Sequence, residues 1–350
     1  MNYNEVVKIG NIHLFPVISE LYGLEGSEIR LINSDGECNV VYDCVKEGTG
    51  SKIIRISFLG NRSRQDVLSE VEYIRYLYEN GGSVANVISS MNGNLLEEIP
   101  HDNHKFFVCL FEKAKGKRFV DNNYQYREGV PITEYFYNCG KTLGKLHQLS
   151  KEYTPVHHRY SFFDKYNAEY INKLVPDSFP LLKEKLINLL KSLEELERDC
   201  ESYGMVHFDY CDGNYHIDFE TGQIIVYDFD NSCICWYMFD LAGIWGSGEG
   251  WIQNEQDVSK RKKFMEDYFT TVVEGYRSET TIEESMLDKL PLFINVNCLE
   301  AILAGFEQLQ VNGEYPLDME ESEIWHDYEM SSRIKCLEDD IPYRGFFREM

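Results

Sequence analysis

Short β-rich runs separated by glycine-bearing turns dominate the first third of the chain. Ile29-Arg-Leu-Ile32, Val40-Val-Tyr-Asp-Cys-Val45 and Lys52-Ile-Ile-Arg-Ile-Ser-Phe58 read as strands, parted by Ser-Asp-Gly and Glu-Gly-Thr-Gly turns. Val67, Val71, Ile74 and Tyr78 then repeat at helical spacing, which predicts a helix from about Arg64 to Asn80, stopped at Gly81-Gly82. Glu70 and Leu77 fall on the same side of that helix. Two further strands are expected around Val87–Ser90 and Phe106–Phe111, with Asn92-Gly93 turning near the first.

From Lys113 onward the period changes to that of helices. Ile132, Phe136, Leu143 and Leu146 mark one helix, on which Gly140 and Gly144 form a small patch suited to close packing. Amphipathic helices are expected over Leu181–Leu196 and Lys260–Tyr276, and 291–310 is apolar enough to be buried. One β-pair interrupts the helices: Tyr215–Asp218, the turn Glu220-Thr-Gly222, then Ile224–Phe229. The reading is an α+β, bilobal chain. Residues 1–112 form a lobe with a five-stranded antiparallel sheet and one helix, and 113–350 form a mostly helical lobe.

Composition narrows the class. The chain has 350 residues, 43% apolar and 27% charged, as an ordinary globular protein does. Its formal net charge of −25 argues against nucleic-acid binding, which needs an excess of Lys and Arg, and is compatible with a cationic substrate. Residues 1–112 carry 9 basic and 16 acidic residues, so the acid is spread over both lobes. The ten cysteines are scattered and form no C-x-x-C pair, which disfavours a structural zinc site. No signal-peptide h-region opens the chain and no run approaches the roughly 20 apolar residues of a membrane span. A reducing cytoplasm, with no membrane partner, is the expectation.

The chemistry concentrates in Met205-Val-His-Phe-Asp-Tyr-Cys-Asp-Gly-Asn214 and Ile224-Ile-Val-Tyr-Asp-Phe-Asp230. Asp209, Asn214 and Asp228 each follow a short apolar run. A carboxylate, an amide oxygen five residues on and a second carboxylate beyond a hairpin suit phosphoryl transfer from Mg-ATP. Asp209 would orient and deprotonate a hydroxyl, while Asn214 and Asp228 hold Mg²⁺ or Mn²⁺ through oxygen. Asp230 reads equally as a ligand of a second ion or as the cap of the following turn.

These residues resemble the active-site signature of the aminoglycoside phosphotransferase and choline-kinase family, whose fold is a relative of the protein kinases. The signature is His-Gly-Asp, four residues, Asn, then a strand ending in Asp. Here it stands as His207-Phe208-Asp209, Asn214 and Asp228-Phe229-Asp230, followed by Trp236-Tyr-Met-Phe-Asp240. The resemblance runs from about Val40 to Ala242, and it implies that Asp240 steadies the catalytic loop. It also implies that Arg55 stands where the fold places a phosphate-binding Lys, with Glu70 as its partner. A carboxylate on the apolar side of its helix needs a countercharge; the alternative is a solvated Arg55 and a half-exposed Glu70. Ser34, Gly36 and Asn39 would belong to the loop over the phosphates, and the backbones of Glu112 and Ala114 would meet adenine, with ATP bound between the lobes.

Phe208 departs from the family's glycine, which permits positive φ at little cost. His207 reads as a scaffold residue, and His157-His158 as surface or packing residues. The implied activity is phosphorylation of a small hydroxyl-bearing molecule such as an aminoglycoside, amino alcohol or sugar. One alternative is a catalytically weak kinase homologue with a binding or structural role of the spore-coat kind. Another is a metal-dependent hydrolase, which lacks the usual His ligands. Oligomeric state has no signature here.

Overall fold

The computed structural model describes residues 2–32, 39–46, 48, 50–58, 62–311 and 328–339. It divides into two compact units, each discontinuous in sequence. The first comprises Met1–Val130, Glu152–Arg159 and Asp212–Asp230; the second comprises Pro131–Lys151, Tyr160–Cys211 and Asn231–Met350.

The first unit is built on a six-stranded antiparallel sheet: β1 (Glu28–Leu31), β2 (Asn39–Lys46), β3 (Gly50–Ser57), β4 (Val87–Ile88), β5 (Glu97–His101) and β6 (His104–Glu112). The order is β1-β2-β3-β6-β4, and β5 also pairs with β6. The class expected from the sequence holds, with β5 as an additional strand. Side chains alternate between the two faces. Val40, Tyr42, Ile54, Ile56, Phe106 and Val108 point to one face and are buried there under Val6, Leu14, Ile18 and Tyr22. Those four come from an N-terminal helical segment absent from the sequence reading. It runs as α1 (Tyr3–Ile9), a π-helical turn (Gly10–Leu14) and α2 (Phe15–Tyr22). The segment starts with an Asn2/Glu5 capping box and ends on Gly23 in the left-handed region.

Helix α3 (Arg64–Glu79) has a Ser63/Asp66 capping box and buries Val67, Glu70, Val71, Ile74 and Leu77, the predicted face. The boundary expected at 112 falls inside this unit. The hairpin β8 (Tyr215–Ile217) and β9 (Ile224–Val226) joins it through backbone pairing. Lys117 and Ile217 exchange N–H···O bonds of 3.1 and 2.8 Å, and Val226 bonds to Ser83 and Ala85 at 2.9 and 2.8 Å. Such backbone bonds tie the hairpin to the sheet unit despite its position late in the chain.

The second unit contains α4 (Ile132–Glu152), α5 (Phe162–Lys165), α6 (Ala168–Leu174), α7 (Pro180–Glu194), α8 (Tyr237–Ile252), α9 (Val258–Arg277), α10 (Glu284–Leu287), α11 (Leu290–Val311) and α12 (Tyr328–Glu338). Strands β7 (Tyr203–Val206) and β10 (Cys233–Trp236) pair antiparallel within it. The Gly140/Gly144 patch serves the close packing expected of it. A Cβ at Gly140 would strike the Val272 carbonyl, and one at Gly144 the backbone of Tyr276, so α4 and α9 meet backbone to backbone. Helix α11 corrects one expectation, because Leu290–Leu309 is long and apolar enough by length and composition to cross a membrane. Phe293, Val296, Leu299, Ile302, Leu303 and Phe306 are buried here, as in the core helix of a globular unit.

Candidate active site

The first unit contains a cavity of about 650 Å³ lined by Val41, Ile53, Ile74, Phe111 and, at its polar end, Arg55, Glu70, Asn214 and Asp228. Arg55 leaves β3 on the face opposite the N-terminal helices. Its Nη1 and Nη2 donate to the two Glu70 carboxylate oxygens at 2.7 and 2.8 Å. Both side chains are buried, at 7% and 1% exposure, and the guanidinium lies 5.1 Å from the Phe111 ring centroid. Burial by itself would lower the Arg55 pKa, but the Glu70 charge and hydrogen bonds outweigh it and hold the pKa above the ordinary value. The expected pair is therefore present, and the solvated alternative is not.

Strand β6 delivers Glu112 and Ala114 to the same cavity. Lys113 N–H donates to the Ser51 carbonyl at 3.3 Å, so the neighbouring Lys52–Glu112 pair turns the Glu112 backbone away from β3. The Glu112 N–H donates to Asn86 O at 2.8 Å. The Ala114 carbonyl accepts from His216 Nδ1 at 2.9 Å. Gly116 (φ +92°) allows this segment to lie on Ile217, where a Cβ would collide with the Ile217 carbonyl.

Asn214 immediately precedes β8 and Asp228 follows β9 by one residue; Tyr227 N–H donates to Asn214 O at 2.9 Å. Asp228 is exposed and has φ +64°, a left-handed conformation uncommon for a residue with a Cβ. Asp230 is held by Asn39 Nδ2 at 3.0 Å and Arg62 at 2.9 Å, and its carbonyl accepts from the buried Arg159 at 2.6 Å. These bonds give Asp230 a structural part. Asn39 also accepts from Ser57 Oγ at 2.6 Å and does not line the cavity. Its side chain bridges β3 to the 228–230 segment. Ser34 and Gly36 lie outside the described residues.

In the second unit, β7 runs into His207-Phe208-Asp209. Asp240, buried on α8, accepts from His207 N–H at 2.8 Å, from Phe208 N–H at 2.9 Å and from His147 Nε2 at 3.1 Å. Tyr276 OH lies 3.0 Å from His147 Nδ1. Burial lowers the His147 pKa, so the neutral ring donates through Nε2 and accepts through Nδ1. Asp240 thus anchors the loop backbone, and the α4–α9 packing anchors Asp240. Asp209 is exposed, and its N–H donates to His207 Nδ1 at 3.3 Å, which gives His207 its scaffold part.

Phe208 adopts φ +73°, the conformation for which glycine is the easy choice. Its ring stacks on Phe239 at 4.3 Å with an interplanar angle of 7°. His157 pairs with Glu72 at 2.9 Å and, among the described residues, belongs to no metal-binding cluster. His147, Tyr276, Arg159 and His216 were not found from the sequence, because their partners lie 71 to 129 positions away.

Residues 28–278 match the phosphotransferase enzyme family (APH), well over half of the chain. The chain belongs to that family. It is similar to the amicoumacin kinase of Bacillus subtilis (strain 168), with 27% identity over 279 residues that cover 79% of each protein. Among solved structures, the amicoumacin kinase hAmiN in complex with AMP-PNP, Ca²⁺ and Ami matches with a TM-score of 0.79 at 22% identity, covering 98% of both chains. A microcompartment-associated aminopropanol kinase matches with a TM-score of 0.65 at 18% identity over 92% of both. This phosphotransferase is a small-molecule kinase with the fold of those neighbours.

Proposed function

We propose that this protein transfers the γ-phosphoryl group of ATP to a hydroxyl of a small, amine-bearing molecule. The observation that carries the reading is one cavity of the first unit. It joins an apolar slot, a hinge backbone at Glu112–Ala114, a fixed guanidinium and the oxygen donors of Asn214 and Asp228. The slot suits a purine and the guanidinium suits the α- and β-phosphates. A divalent ion such as Mg²⁺ needs few protein oxygens when phosphates supply others, and it would neutralise charge on the triphosphate. Asp209, tethered five residues before Asn214, is the general base.

An amine-bearing acceptor is favoured by the second unit. Glu300 on α11 has a raised pKa, first through burial and then through the nearby Asp209 charge, and Tyr166 OH donates to it at 3.3 Å. The same surface already accommodates one ammonium: Lys165 Nζ lies 5.2 and 5.9 Å from the Tyr166 and Tyr170 rings and 3.6 Å from Glu307. A substrate ammonium would find the same carboxylate and aromatic faces. The neighbour named aminopropanol kinase is consistent with an acceptor of this class, and the relative named amicoumacin kinase with a small-molecule acceptor. The described cysteines form no disulfides, which suits a reducing cytoplasm.

Arg55 and Phe208, the two departures that kept a scaffold role open, are both accommodated: Arg55 makes its ion pair and Phe208 takes the required φ. The test is a coupled ADP-release screen with Mg-ATP against amicoumacin, amino alcohols, aminoglycosides and neutral sugars. Acceptor-dependent ADP release confined to amines, and abolished in Asp209→Ala with nucleotide binding retained, is expected. Near wild-type turnover in Asp209→Ala, or release with neutral sugars alone, overturns the reading.

A further inference from the structure

The hinge of the cavity offers a purine only part of its backbone. In Ala114 the carbonyl is tied to β8 by His216 Nδ1 at 2.9 Å. Three residues on, Lys117 exchanges backbone bonds with Ile217. Between them Gly116 lies so close to the Ile217 carbonyl that no Cβ fits. The segment is clamped to the hairpin at both ends. Glu112 has its N–H committed to Asn86. Both residues line the cavity, and the backbone groups these bonds do not engage are the Glu112 carbonyl, an acceptor, and the Ala114 N–H, a donor. His216 lines the same cavity, with its ring edge-on to Tyr227 at 5.1 Å.

An acceptor followed by a donor matches adenine, whose 6-amino group donates and whose N1 accepts. Guanine presents the reverse order, an accepting O6 beside a donating N1–H. It could use the Ala114 N–H for O6 only if the Ala114 carbonyl then took N1–H. We infer that His216 sets the nucleotide specificity of this kinase, favouring adenine over guanine by sequestering the Ala114 carbonyl. His216 is thus a positioning residue: it acts through the Ala114 backbone and not by touching the reacting phosphate. An unmatched buried donor and acceptor are costly in such a site, so removing the His216 bond changes guanine binding more than adenine binding. The inference rests on the reading that the cavity takes a nucleoside triphosphate.

The test uses the full chain with Mg-ATP, Mg-GTP and Mg-ITP, measuring dissociation constants by competition and kcat/KM with one acceptor. Wild type should prefer ATP and reject GTP and ITP alike, since inosine shares O6 and N1–H with guanine. His216→Phe and His216→Leu remove the donor, and Phe retains the ring against Tyr227. In either, the ATP-to-GTP ratio should fall about tenfold, mainly through tighter GTP binding. His216→Asn, whose amide N–H can stand near the Nδ1 position, should keep the wild-type ratio. A ratio unchanged in Phe and Leu overturns the assignment, as does an equal change in Asn. Wild-type acceptance of ITP on a par with ATP also overturns it. If wild type binds none of the three triphosphates, the nucleotide reading of the cavity fails first, a result distinct from binding without a His216 effect.

Discussion

Glu70→Gln is the most informative single change in the first unit. The pair it breaks is almost fully buried, at 7% and 1% exposure, and joined by bonds of 2.7 and 2.8 Å. The Arg55 pKa is raised chiefly because Glu70 outweighs the burial penalty. With the carboxylate gone, the guanidinium remains charged and meets that penalty with one neutral acceptor. Removing one partner of a buried pair costs about 3–5 kcal/mol. For a unit of this size that is a fall in Tm on the order of 10 °C. Thermal denaturation without ligand reads it directly. The double variant Arg55→Met/Glu70→Leu separates charge burial from packing, because replacing both partners with apolar groups is often neutral. It should recover most of the lost Tm and still lack ATP affinity, since no fixed cation then faces the phosphates. Stability of Glu70→Gln within about 1 kcal/mol of wild type would refute the buried-pair argument, as would a double variant no more stable than the single one.

Asn214→Ala and Asp228→Ala should each weaken metal-dependent nucleotide binding, Asp228→Ala more because it removes a charge. Mg²⁺ titrations with a fluorescent ATP analogue check this, and unchanged metal dependence in both removes them as ligands. Phe208→Gly relieves about 1–2 kcal/mol of left-handed strain but loses the Phe239 stack, about 0.5–1.5 kcal/mol, together with the buried ring area. A net loss of about 1–2 kcal/mol in urea denaturation is expected, and a more stable glycine variant contradicts it. His147 has a lowered pKa in the folded state, so the unfolded chain binds its proton first as pH falls. Its contribution should be complete above the ordinary value near 6.5 and be lost as pH falls below it. His147→Asn should flatten the slope of stability against pH between about 5 and 7; an unaltered slope assigns it to another group.

Much of the architecture is legible because local pattern and tertiary burial agree. Strands β2, β3 and β6 are β-rich apolar runs bounded by turns, and α3, α4, α7 and α9 carry apolar stripes at helical spacing. The Arg55–Glu70 pair is legible for the same reason, since a carboxylate on an apolar helix face requires a cation. The N-terminal helices are harder to see. The π turn at Gly10–Leu14 inserts a step between Val6 and Leu14, and no single 3.6-residue period spans Tyr3–Tyr22. Strand β5 hides behind Glu97-Glu98-Ile99-Pro100, charged and interrupted by proline. Pro100 is exposed there on a strand that, among the described residues, pairs with β6 alone. The β7–β10 pairing and the Asp240–His147–Tyr276 chain join residues far apart in sequence, for which no local period exists.

If Asn214 and Asp228 hold the ion as proposed, the hairpin β8–β9 is what sets their spacing. Asn214 and Asp228 lie just outside its two ends, and the register Tyr215–Val226 with the Tyr227 N–H to Asn214 bond fixes one end against the other. Their separation is therefore a property of strand register; a slip by one residue would reverse which side chains face the cavity. The same strand β8 holds the hinge through His216 and Ile217. On the proposed function, base recognition and ion binding would share this one hairpin. Asp209 is held by a different support, the Asp240 carboxylate on α8, which fixes the two backbone amides before it. Damage to Asp240 or His147 should thus lower turnover with little effect on nucleotide affinity, whereas damage to β8 should alter nucleotide affinity first. Equal effects on both quantities from an α8 variant that remains folded would contradict that separation of supports.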